Sequence, residues 1–347
     1  MSEVRLISFK TIPYNSPAEL LQREVESIIA SWPLRGEPLA IKVHFGEKGS
    51  TRFVRPLYIG GIVESVKKMG AIPFCTDTNV LYRGLRAIAP THLEVAYKHG
   101  FNYATINCPV IIADGILGRD AVPVKCDGKY LDRVPVASAI ADAPFLIVVT
   151  HVTFHGFSGL GSTVKNLGMG CLAVEGKKQI HSSTVPKIFE ERCNSCGACL
   201  QRCRFGAISL NPAVVLDRDR CTGCCHCIGV CLNNVFEICD DQYLEFCEKL
   251  VDASLAVIRG KKTLFINFLS EITRQCDCAS FTHPPVCRDL GILISERLYD
   301  VEAATYDLLN QETGFAKGDP RPEFIIRQIL EKGRYQNTKY MISEVIQ

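Results

Sequence analysis

The sequence predicts an α/β fold with a mostly parallel sheet, interrupted by a cysteine-rich insert. Over residues 1–188, short apolar runs alternate with segments of helical spacing, and the same alternation resumes after residue 238. Strands that alternate with helices form mostly parallel sheets, because each helix carries the chain back to the start of the next strand. Between the two stretches, residues 189–238 contain eight of the 18 cysteines of this 347-residue chain in two regular runs.

The first stretch contains five apolar runs that we interpret as buried strands and three segments of helical spacing. The predicted strands cover residues 5–9, 39–45, 72–76, 110–113 and 145–150, and the predicted helices cover residues 18–31, 57–69 and 92–99. Ser16 and Pro17 precede the first helix as a cap and a first-turn proline. Gly70 and Gly100 stand where helices end, at positions that favour a positive φ.

After residue 238, the sequence predicts helices over 243–257, 301–309 and 323–332 and strands over 262–269 and 291–295. Inside the insert, residues 207–210 and 235–238 are apolar and are predicted to form short hairpin strands. The simplest organisation is one α/β domain in two parts, 1–188 and 239–347, with residues 189–238 inserted as a module. Three independent domains are the alternative, but the last part has only two clear strands, which favours the insertion.

The two cysteine runs share one spacing, C-x-x-C-x-x-C-x-x-x-C, which is that of bacterial ferredoxins with two 4Fe-4S clusters. In those proteins, three cysteines of one run and the last cysteine of the other run hold each cluster. The predicted ligands of one cluster are Cys193, Cys196, Cys199 and Cys231, and those of the other are Cys203, Cys221, Cys224 and Cys227. The insert is therefore predicted to be a ferredoxin-like module that carries out one-electron chemistry. Cys225 does not fit the spacing and is interpreted as a packed free thiol.

Two histidines follow predicted strands directly and are candidate catalytic residues. His44 follows the apolar residues 39–43, and His151 follows the strand predicted over 145–150. The carboxyl ends of parallel strands converge on one crevice, where α/β proteins bind their ligands. A histidine there can act as a general acid or base, or as a metal ligand, but it can also be purely structural. His155 follows four residues later, and the glycine-rich residues 156–162 with Lys165 form either an anion-binding loop or a simple turn.

Several short motifs outside the cysteine runs resemble one known family. They are Lys42-Val43-His44-Phe45-Gly46-Glu47, Val54-Arg55-Pro56, Thr76-Asp77-Thr78-Asn79, Ala113-Asp114-Gly115, Thr150-His151, Lys165-Asn166-Leu167-Gly168-Met169-Gly170-Cys171, His181-Ser182 and Cys276-Asp277-Cys278. Together they resemble the domain-of-unknown-function 362 family, in its form that carries a ferredoxin module, over nearly the whole chain. The resemblance implies iron–sulfur binding and a shared α/β domain, and it implies no settled reaction. Arg204 and Leu232 stand where ferredoxin runs usually continue with proline.

A third metal site is predicted from three cysteines outside the runs. Cys276 and Cys278 lie one residue apart after a predicted strand, and Cys171 ends the glycine-rich motif. If their loops meet at one sheet edge, the three thiolates can hold a third 4Fe-4S cluster or a single metal ion, with one position left open for chemistry. The recurrence of these motifs in the resembled family favours the site over a packed turn and a core cysteine. Cys287 is a weaker fourth candidate.

Composition excludes several classes of protein. The net charge of +2 creates no field that would attract nucleic acid. The longest apolar run, around residues 143–149, has the length of a buried strand, and the N-terminal residues lack the layout of a signal peptide. The C-x-x-C runs therefore predict reduced thiolates in a cytoplasm, in an anaerobic setting. We expect a redox partner protein and no nucleic-acid or membrane partner, and the sequence does not indicate an oligomeric state.

Three functions agree with these features. The first is an iron–sulfur redox protein, a candidate oxidoreductase, whose two clusters relay electrons to or from a site in the α/β domain. The second is a non-enzymatic electron carrier subunit whose α/β domain binds a partner. The third is an accessory protein that reductively activates another metalloenzyme or delivers a cluster to it. The near-neutral charge of the insert, with five arginines and five acidic residues, favours the first, since a free carrier that docks on basic partners would be more acidic.

Overall fold

The fold is known from a computed structural model, which describes residues 2–10, 16–333, 335 and 339–345. Its strands are β1 (Ser2–Ser8), β2 (Pro38–Val43), β3 (Ile72–Asp77), β4 (Val110–Ile112), β5 (Ala121–Lys125), β6 (Arg133–Ala137), β7 (Phe145–His151), β8 (Thr153–His155), β9 (Gly159–Gly161), β10 (Lys187–Ile188), β11 (Ile208–Leu210), β12 (Val214–Leu216), β13 (Phe236–Glu237), β14 (Lys262–Leu269), β15 (Gly291–Ser295) and β16 (Tyr340–Glu344). Its helices are α1 (Pro17–Ile29), α2 (Pro56–Lys68), α3 (Ala89–Lys98), α4 (Tyr103–Ile106), α5 (Ser138–Asp142), α6 (Thr163–Gly168), α7 (Val174–His181), α8 (Ala198–Arg202), α9 (Asp240–Ile258), α10 (Leu298–Thr313) and α11 (Arg321–Lys332).

Eight strands form one large sheet, in the order β16-β1-β15-β14-β7-β2-β3-β4. Seven of them are parallel, and β15 alone runs antiparallel to its neighbours β14 and β1. The mixed α/β fold with a mostly parallel sheet is therefore confirmed. The seven strands predicted outside the insert are all present in this sheet, with ends that differ by a few residues from the expected ones.

Helices cover both faces of the sheet. Successive strand residues point to opposite faces, so each central strand contributes side chains to two cores. In β7, Ile147 and Val149 belong to the core that α1 to α4 cover, whereas Leu146 and Val148 belong to the core that α6, α9, α10 and α11 cover. All seven residues of β7 are buried. Strands buried on both faces read as continuous apolar runs, which is why the sequence revealed them.

The chain leaves two neighbouring strands of the sheet in opposite directions. From β2 it continues outward to β3 and β4, whereas from β7, which lies beside β2, it continues the other way to β14 and β15. Such a reversal is a topological switch point, and it opens a crevice outside the carboxyl ends of the two strands. The candidate histidines lie at these ends.

The insert lies outside the large sheet and has an apolar core of its own. That core comprises Cys199, Ile208, Val214, Val235 and Phe236. Both predicted short strands are present: β11 forms a hairpin with β12 as expected, whereas β13 pairs with β10, at the other end of the insert. The β10–β13 pair brings the two ends of the insert together, and the large sheet takes strands from both sides of it. The domain boundaries after residues 188 and 238 stay a prediction.

Several shorter elements were not predicted. The hairpin β5–β6 has Pro123 opposite Pro135, the residues 153–161 fold as the small hairpin β8–β9, and β16 adds a parallel edge strand beside β1. The helices α6 and α7 follow the second hairpin. Among the described residues, no helix combines the length and the apolar character that crossing a bilayer requires.

Candidate functional site

A first cavity of the insert is lined by four cysteines that come from both runs. Cys193, Cys196 and Cys199 of the first run border it together with Cys231 of the second run. The backbone N–H of Ser195 donates to Sγ of Cys193 over 3.4 Å. Cys196 is exposed at the surface, whereas Cys199 is buried. Four thiols around one cavity, one of them accepting a backbone N–H, fit the ligand set of a 4Fe-4S cluster.

A second cavity has the complementary set of cysteines. Cys203, the last of the first run, borders it together with Cys221, Cys224 and Cys227 of the second run. The backbone N–H of Ala207 donates to Sγ of Cys203 over 3.2 Å. The structure therefore brings together the two predicted sets of four, with the last cysteine exchanged between the runs in each case.

Cys225 also borders the second cavity, but its thiol has other partners. Its Sγ lies 2.9 Å from the carbonyl oxygen of Gly223 and 3.1 Å from that of Thr184. A carbonyl oxygen only accepts, so the thiol of Cys225 keeps its proton, and burial raises the pKa of this thiol. These contacts are those of a packed thiol rather than of a cluster ligand.

The crevice at the switch point brings the two candidate histidines to one carboxylate. His44 follows β2, and His151 ends β7. Asp277, on the loop after β14, has its Oδ1 2.8 Å from Nδ1 of His151 and its Oδ2 4.0 Å from Nδ1 of His44. Three loops from neighbouring strand ends thus meet at one point.

His151 has acceptors at both ring nitrogens. Its Nδ1 faces the carboxylate of Asp277, and its Nε2 lies 2.8 Å from the carbonyl oxygen of Ser270. Burial alone would lower the pKa of His151, but Asp277 and Ser270 outweigh burial and the pKa is raised. Since both nitrogens donate, His151 is held as an imidazolium paired with a carboxylate.

His44 faces N–H donors at both ring nitrogens instead, and a neutral imidazole can accept from only one of them. The backbone N–H of Gly46 lies 3.0 Å from Nδ1, and an Nη of Arg86 lies 2.9 Å from Nε2. Burial, together with Arg86, holds the pKa of His44 well below its usual range. The pKa values of two histidines at neighbouring strand ends are thus shifted in opposite directions, which is the pattern of an acid and a base that share a site.

Buried ion pairs line the floor of the crevice. Nζ of Lys42 lies 3.0 Å from Asp77, and Nε of Arg86 lies 3.1 Å from Glu47, all four side chains being buried. Burial alone would raise the pKa of Asp77, but Lys42 and His92 hold it well below its usual range. Sequence reasoning did not select Lys42, Arg86 or His92. A lysine inside an apolar strand, with an aspartate ending the next strand, was the signal that could have found the first pair.

Lys165 is a cation of the crevice that makes no hydrogen bond or ion pair with any described residue. It lies on α6, and burial lowers its pKa to about 8. Its neighbour Lys42 donates to Oδ1 of Asn166 over 2.7 Å, and Lys177 donates to Oγ1 of Thr78 over 2.6 Å. Within the described residues, Nζ of Lys165 makes no hydrogen bond or ion pair. An anionic ligand in the crevice would therefore find one unpaired ammonium group.

The third cysteine site takes a different form from the expected one. Cys276 and Cys278 are joined as a disulfide, and their sulfur atoms lie within 4.8 Å of a ring nitrogen of His155. Cys171 is not part of this group. It is fully buried in the core between α6 and β6, where its carbonyl accepts from Ala137. Cys287, the weaker candidate, is not part of the group either.

The insert and the crevice are connected by the loop that follows β3. Arg204 of the insert donates to the carbonyl oxygens of Val80, Leu81 and Tyr82 over 3.0–3.5 Å. The ring of Tyr82 lies 5.4 Å, between centroids, from the ring of His226, which stands between the cluster cysteines of the second run.

The hydroxyl of Tyr82 reaches into the crevice. It lies 3.3 Å from Oε2 of Glu47 and 3.4 Å from the carbonyl oxygen of Cys278, and it accepts from Arg86 over 2.5 Å. One side chain therefore contacts both the second cavity's wall and the loop that carries the cysteine pair.

Comparison with known proteins gives a family, and distant structures that include the two described below. The family model of the domain of unknown function DUF362 matches residues 39–307. No curated protein matches the chain. The lactate racemase apoprotein from Thermoanaerobacterium thermosaccharolyticum is 12% identical, with a TM-score of 0.42, over 77% of this chain and 50% of that chain. A crystal structure of a Thermotoga maritima protein is 10% identical, with a TM-score of 0.47, over 87% and 61%. The chain thus spans half to about three-fifths of the length of these proteins.

Proposed function

Because this chain belongs to the family of domain of unknown function 362, whose description names no reaction, we propose its function from the geometry of its sites. It is an iron–sulfur redox protein. Eight cysteines of the insert hold two 4Fe-4S clusters, which supply one-electron transfer between a redox partner protein and the crevice of the α/β domain. The crevice end includes a third metal centre at Cys276 and Cys278.

The exchange of the last cysteine between the two runs carries this proposal. Cys231 borders the cavity of the first run, and Cys203 borders that of the second run. Packing of an apolar core does not require thiols in two groups of four, whereas a two-cluster ferredoxin requires this exchange. The donor set, thiols alone with backbone N–H groups at two of the sulfur atoms, suits iron–sulfur clusters.

The positions of the two cavities support a relay. The first cavity has the exposed Cys196 at its edge, where a partner protein can approach. The second cavity has His226 in its wall, and the ring of His226 contacts Tyr82 of the crevice loop. Electrons would therefore pass between the partner and the crevice through the first and then the second cavity, or in the reverse order.

The residues of the crevice can manage protons during such a transfer. The imidazolium of His151 is a proton donor held by Asp277, and the ring of His44, 4.0 Å from the same carboxylate, can accept a proton once Arg86 releases its Nε2. Lys165 can fix an anionic group beside them. This arrangement supports an oxidoreductase, and its clusters would require the reducing conditions of an anaerobic cytoplasm.

Iron and sulfide analysis of the anaerobically purified protein tests the cluster assignment. Two clusters predict about eight iron and eight sulfide ions per chain. Cys224→Ser should remove about half of the iron, since it takes a ligand from one cluster only. Cys225→Ser is the matched control: it changes the neighbouring thiol, which already donates to carbonyl oxygens, and should keep all of the iron. Equal iron loss in both variants would show that the assignment is wrong.

Trapping of the cysteine pair distinguishes a relay from a simple carrier. Opening the Cys276–Cys278 disulfide takes two electrons and two protons and gives two thiols. A reduced ferredoxin should open it in the wild-type protein, and alkylation with peptide mapping would detect both thiols. Cys224→Ser should leave the disulfide closed under the same conditions. If the disulfide stays closed in the cluster-loaded wild-type protein, this result would favour the carrier or accessory function.

A further inference from the structure

The cysteine pair and His155 together form a compact set of three metal donors on two separate loops. Their donor atoms all lie within 4.8 Å of one another, although His155 ends β8 and the cysteines lie in the loop after β14. We propose that His155, Cys276 and Cys278 bind one borderline divalent metal ion, for which Zn²⁺ is the probe, when the pair is reduced. This inference rests on the proposed function, whose third metal centre it specifies and whose clusters supply the electrons in the cell.

The donor chemistry selects a single ion. Two thiolates and one imidazole are the ligands that Zn²⁺ and similar divalent ions prefer, whereas clusters of the ferredoxin type are held by cysteines alone. The third cysteine that a cluster would need, Cys171, lies buried in the core and is not in reach. Three protein ligands leave the fourth position open, which is the arrangement of catalytic rather than structural sites.

The ring of His155 has one nitrogen to offer. All of its hydrogen bonds fall on Nδ1, which lies 3.0 Å from Oγ of Ser158 and 3.3 Å from the N–H groups of Phe157 and Ser158. Among the described residues, Nε2 has no partner. Oγ of Ser158 donates its own hydrogen to the carbonyl of Leu160 over 2.6 Å. In the metal-free ring, Nδ1 accepts from the N–H groups of Phe157 and Ser158, so the ring proton is on Nε2. An ion on Nε2 displaces this proton to Nδ1, which then donates to Oγ of Ser158, and this contact orients the ring.

The loop that carries the cysteines is held at several points. The N–H of Glu47 donates to the carbonyl oxygen of Asp277, and the N–H of Ala279 donates to that of Cys276, both over 2.9 Å. The carboxylate of Asp277, between the two cysteines, is fixed by His151. Ligands on a restrained loop bind a metal with little loss of conformational freedom, so the site is preorganised on the cysteine side.

Reduction controls access to this site. In the disulfide, both sulfur atoms are engaged with each other and cannot act as thiolates. Two electrons and two protons convert them to two thiols, and binding of a divalent ion then releases the two thiol protons as the thiolates coordinate. The reductant in the cell is a low-potential one-electron donor acting through the insert, and in the test it is dithiothreitol.

Zinc K-edge X-ray absorption on the full cluster-loaded chain tests the proposal, because this edge does not see iron. After anaerobic reduction, chelation and addition of one equivalent of Zn²⁺, we expect one zinc per chain with two sulfur neighbours at about 2.3 Å and nitrogen or oxygen neighbours at about 2.0 Å. Without reduction, zinc should not be retained. Three or four sulfur neighbours, or no retained zinc after reduction, would overturn the proposal.

Variants assign the ligands and separate this site from the clusters. Cys278→Ser should abolish zinc retention, and His155→Ala should weaken it by more than the roughly 10- to 100-fold that loss of a ligand's hydrogen-bond partner costs. Cys171→Ser is the control that should keep the zinc. Iron content, measured on the same samples, reports folding. Loss of zinc with all iron retained is the expected result for Cys278→Ser. A wild-type protein that binds zinc but no iron would instead contradict the proposed relay and would still support the metal site.

Discussion

Lys42 and Asp77 illustrate how the crevice uses charge in the interior. The pair is buried between two central strands, where desolvation offsets most of the attraction between the charges. A buried ion pair is therefore weak evidence for stability. Lys42 also donates to Asn166, the neighbour of Lys165, so the pair positions the segment that faces the crevice. We interpret the buried charges as groups that hold the site rather than the fold.

Glu302 gives a prediction that concerns the fold alone. Its carboxylate is buried, accepts 2.6 Å hydrogen bonds from Oγ of Ser162 and the N–H of Val164, and burial raises its pKa from 4.5 to about 7. Because the pKa of Glu302 is higher in the folded protein, protonation of this carboxyl stabilises the fold, and its contribution is complete below pH 4.5. This contribution, about 3 kcal/mol, is lost as the pH rises through 7. Glu302→Gln should therefore flatten the fall in melting temperature between pH 5 and about 8.

The same helix provides the control for this measurement. Glu312 on α10 is partly exposed and pairs with Arg288 over 2.9 Å. Glu312→Gln should retain the wild-type dependence on pH. If Glu302→Gln loses stability in parallel with the wild type across this range, then Glu302 is ionised in the folded protein throughout, and its burial has been compensated by another group.

At the scale of elements, the loop after β3 is the joint between the insert and the α/β domain. Two arginines, Arg202 and Arg204, flank Cys203. In the described structure, Arg204 alone of these two donates hydrogen bonds to the loop, to three carbonyl oxygens. Arg204→Ala should remove about 2 kcal/mol of hydrogen bonding to a charged group. Amide hydrogen exchange of residues 78–86 should then become roughly 30-fold faster.

The neighbouring arginine makes a matched comparison. Arg202 is exposed at the surface of the insert, and Arg202→Ala should leave the exchange of residues 78–86 unchanged. Iron content should stay at the wild-type level in both variants, because neither arginine is a ligand. Equal exchange rates in Arg204→Ala and the wild type would mean that the other contacts hold the joint, namely the ring pair of Tyr82 and His226 and the hydrogen bond from Arg83 to the carbonyl oxygen of Gln201.

Strands that are buried on both faces could be predicted from sequence, and strands outside the sheet could not. The continuous apolar run of β7 indicates a strand that is buried on both faces, so this strand can be located from a single sequence. The hairpin β5–β6 carries Pro123 and Pro135, and a proline within an apolar run argues against a strand. The antiparallel direction of β15 depends on pairing with β1, which is far away in the chain, and no local pattern reports it.

The candidate site likewise contains residues that the sequence could predict and residues that it could not. His44 and His151 were predictable because each directly follows an apolar strand, and parallel strand ends converge. Cys171 was expected at the crevice on its motif alone, but the turn after α6 sends its side chain into the core, and His155 takes its place beside the cysteine pair. Direction of a side chain within a loop depends on tertiary packing, which short motifs do not encode.

At the scale of the whole molecule, the α/β domain closes without the insert. The large sheet takes β2, β3, β4 and β7 from before the insert and β14 and β15 from after it. The two main cores contain residues of the sheet and its helices, and the core of the insert is separate from both. The insert is therefore attached to a domain whose apolar cores are complete on their own.

This separation predicts that the insert can be excised. Lys187 and Glu237 are partners in the antiparallel pair β10–β13, so an Asn-Gly turn can join them in place of residues 188–236, as in a two-residue hairpin. The shortened chain should unfold cooperatively, with the far-ultraviolet circular dichroism of an α/β domain, and should bind no cluster iron. Loss of the contacts of Arg204 and His226 should lower its melting temperature by only a few degrees.

A full-length control separates the insert's contribution from that of its clusters. The double variant Cys196→Ser and Cys224→Ser keeps the polypeptide of the insert and removes a ligand from each cavity. If the excised chain melts at or above the temperature of this variant, the α/β domain owes its stability to its own cores, and the insert serves electron transfer. A chain that is insoluble after excision, beside a folded double variant, would show instead that the insert's polypeptide is required to complete the domain.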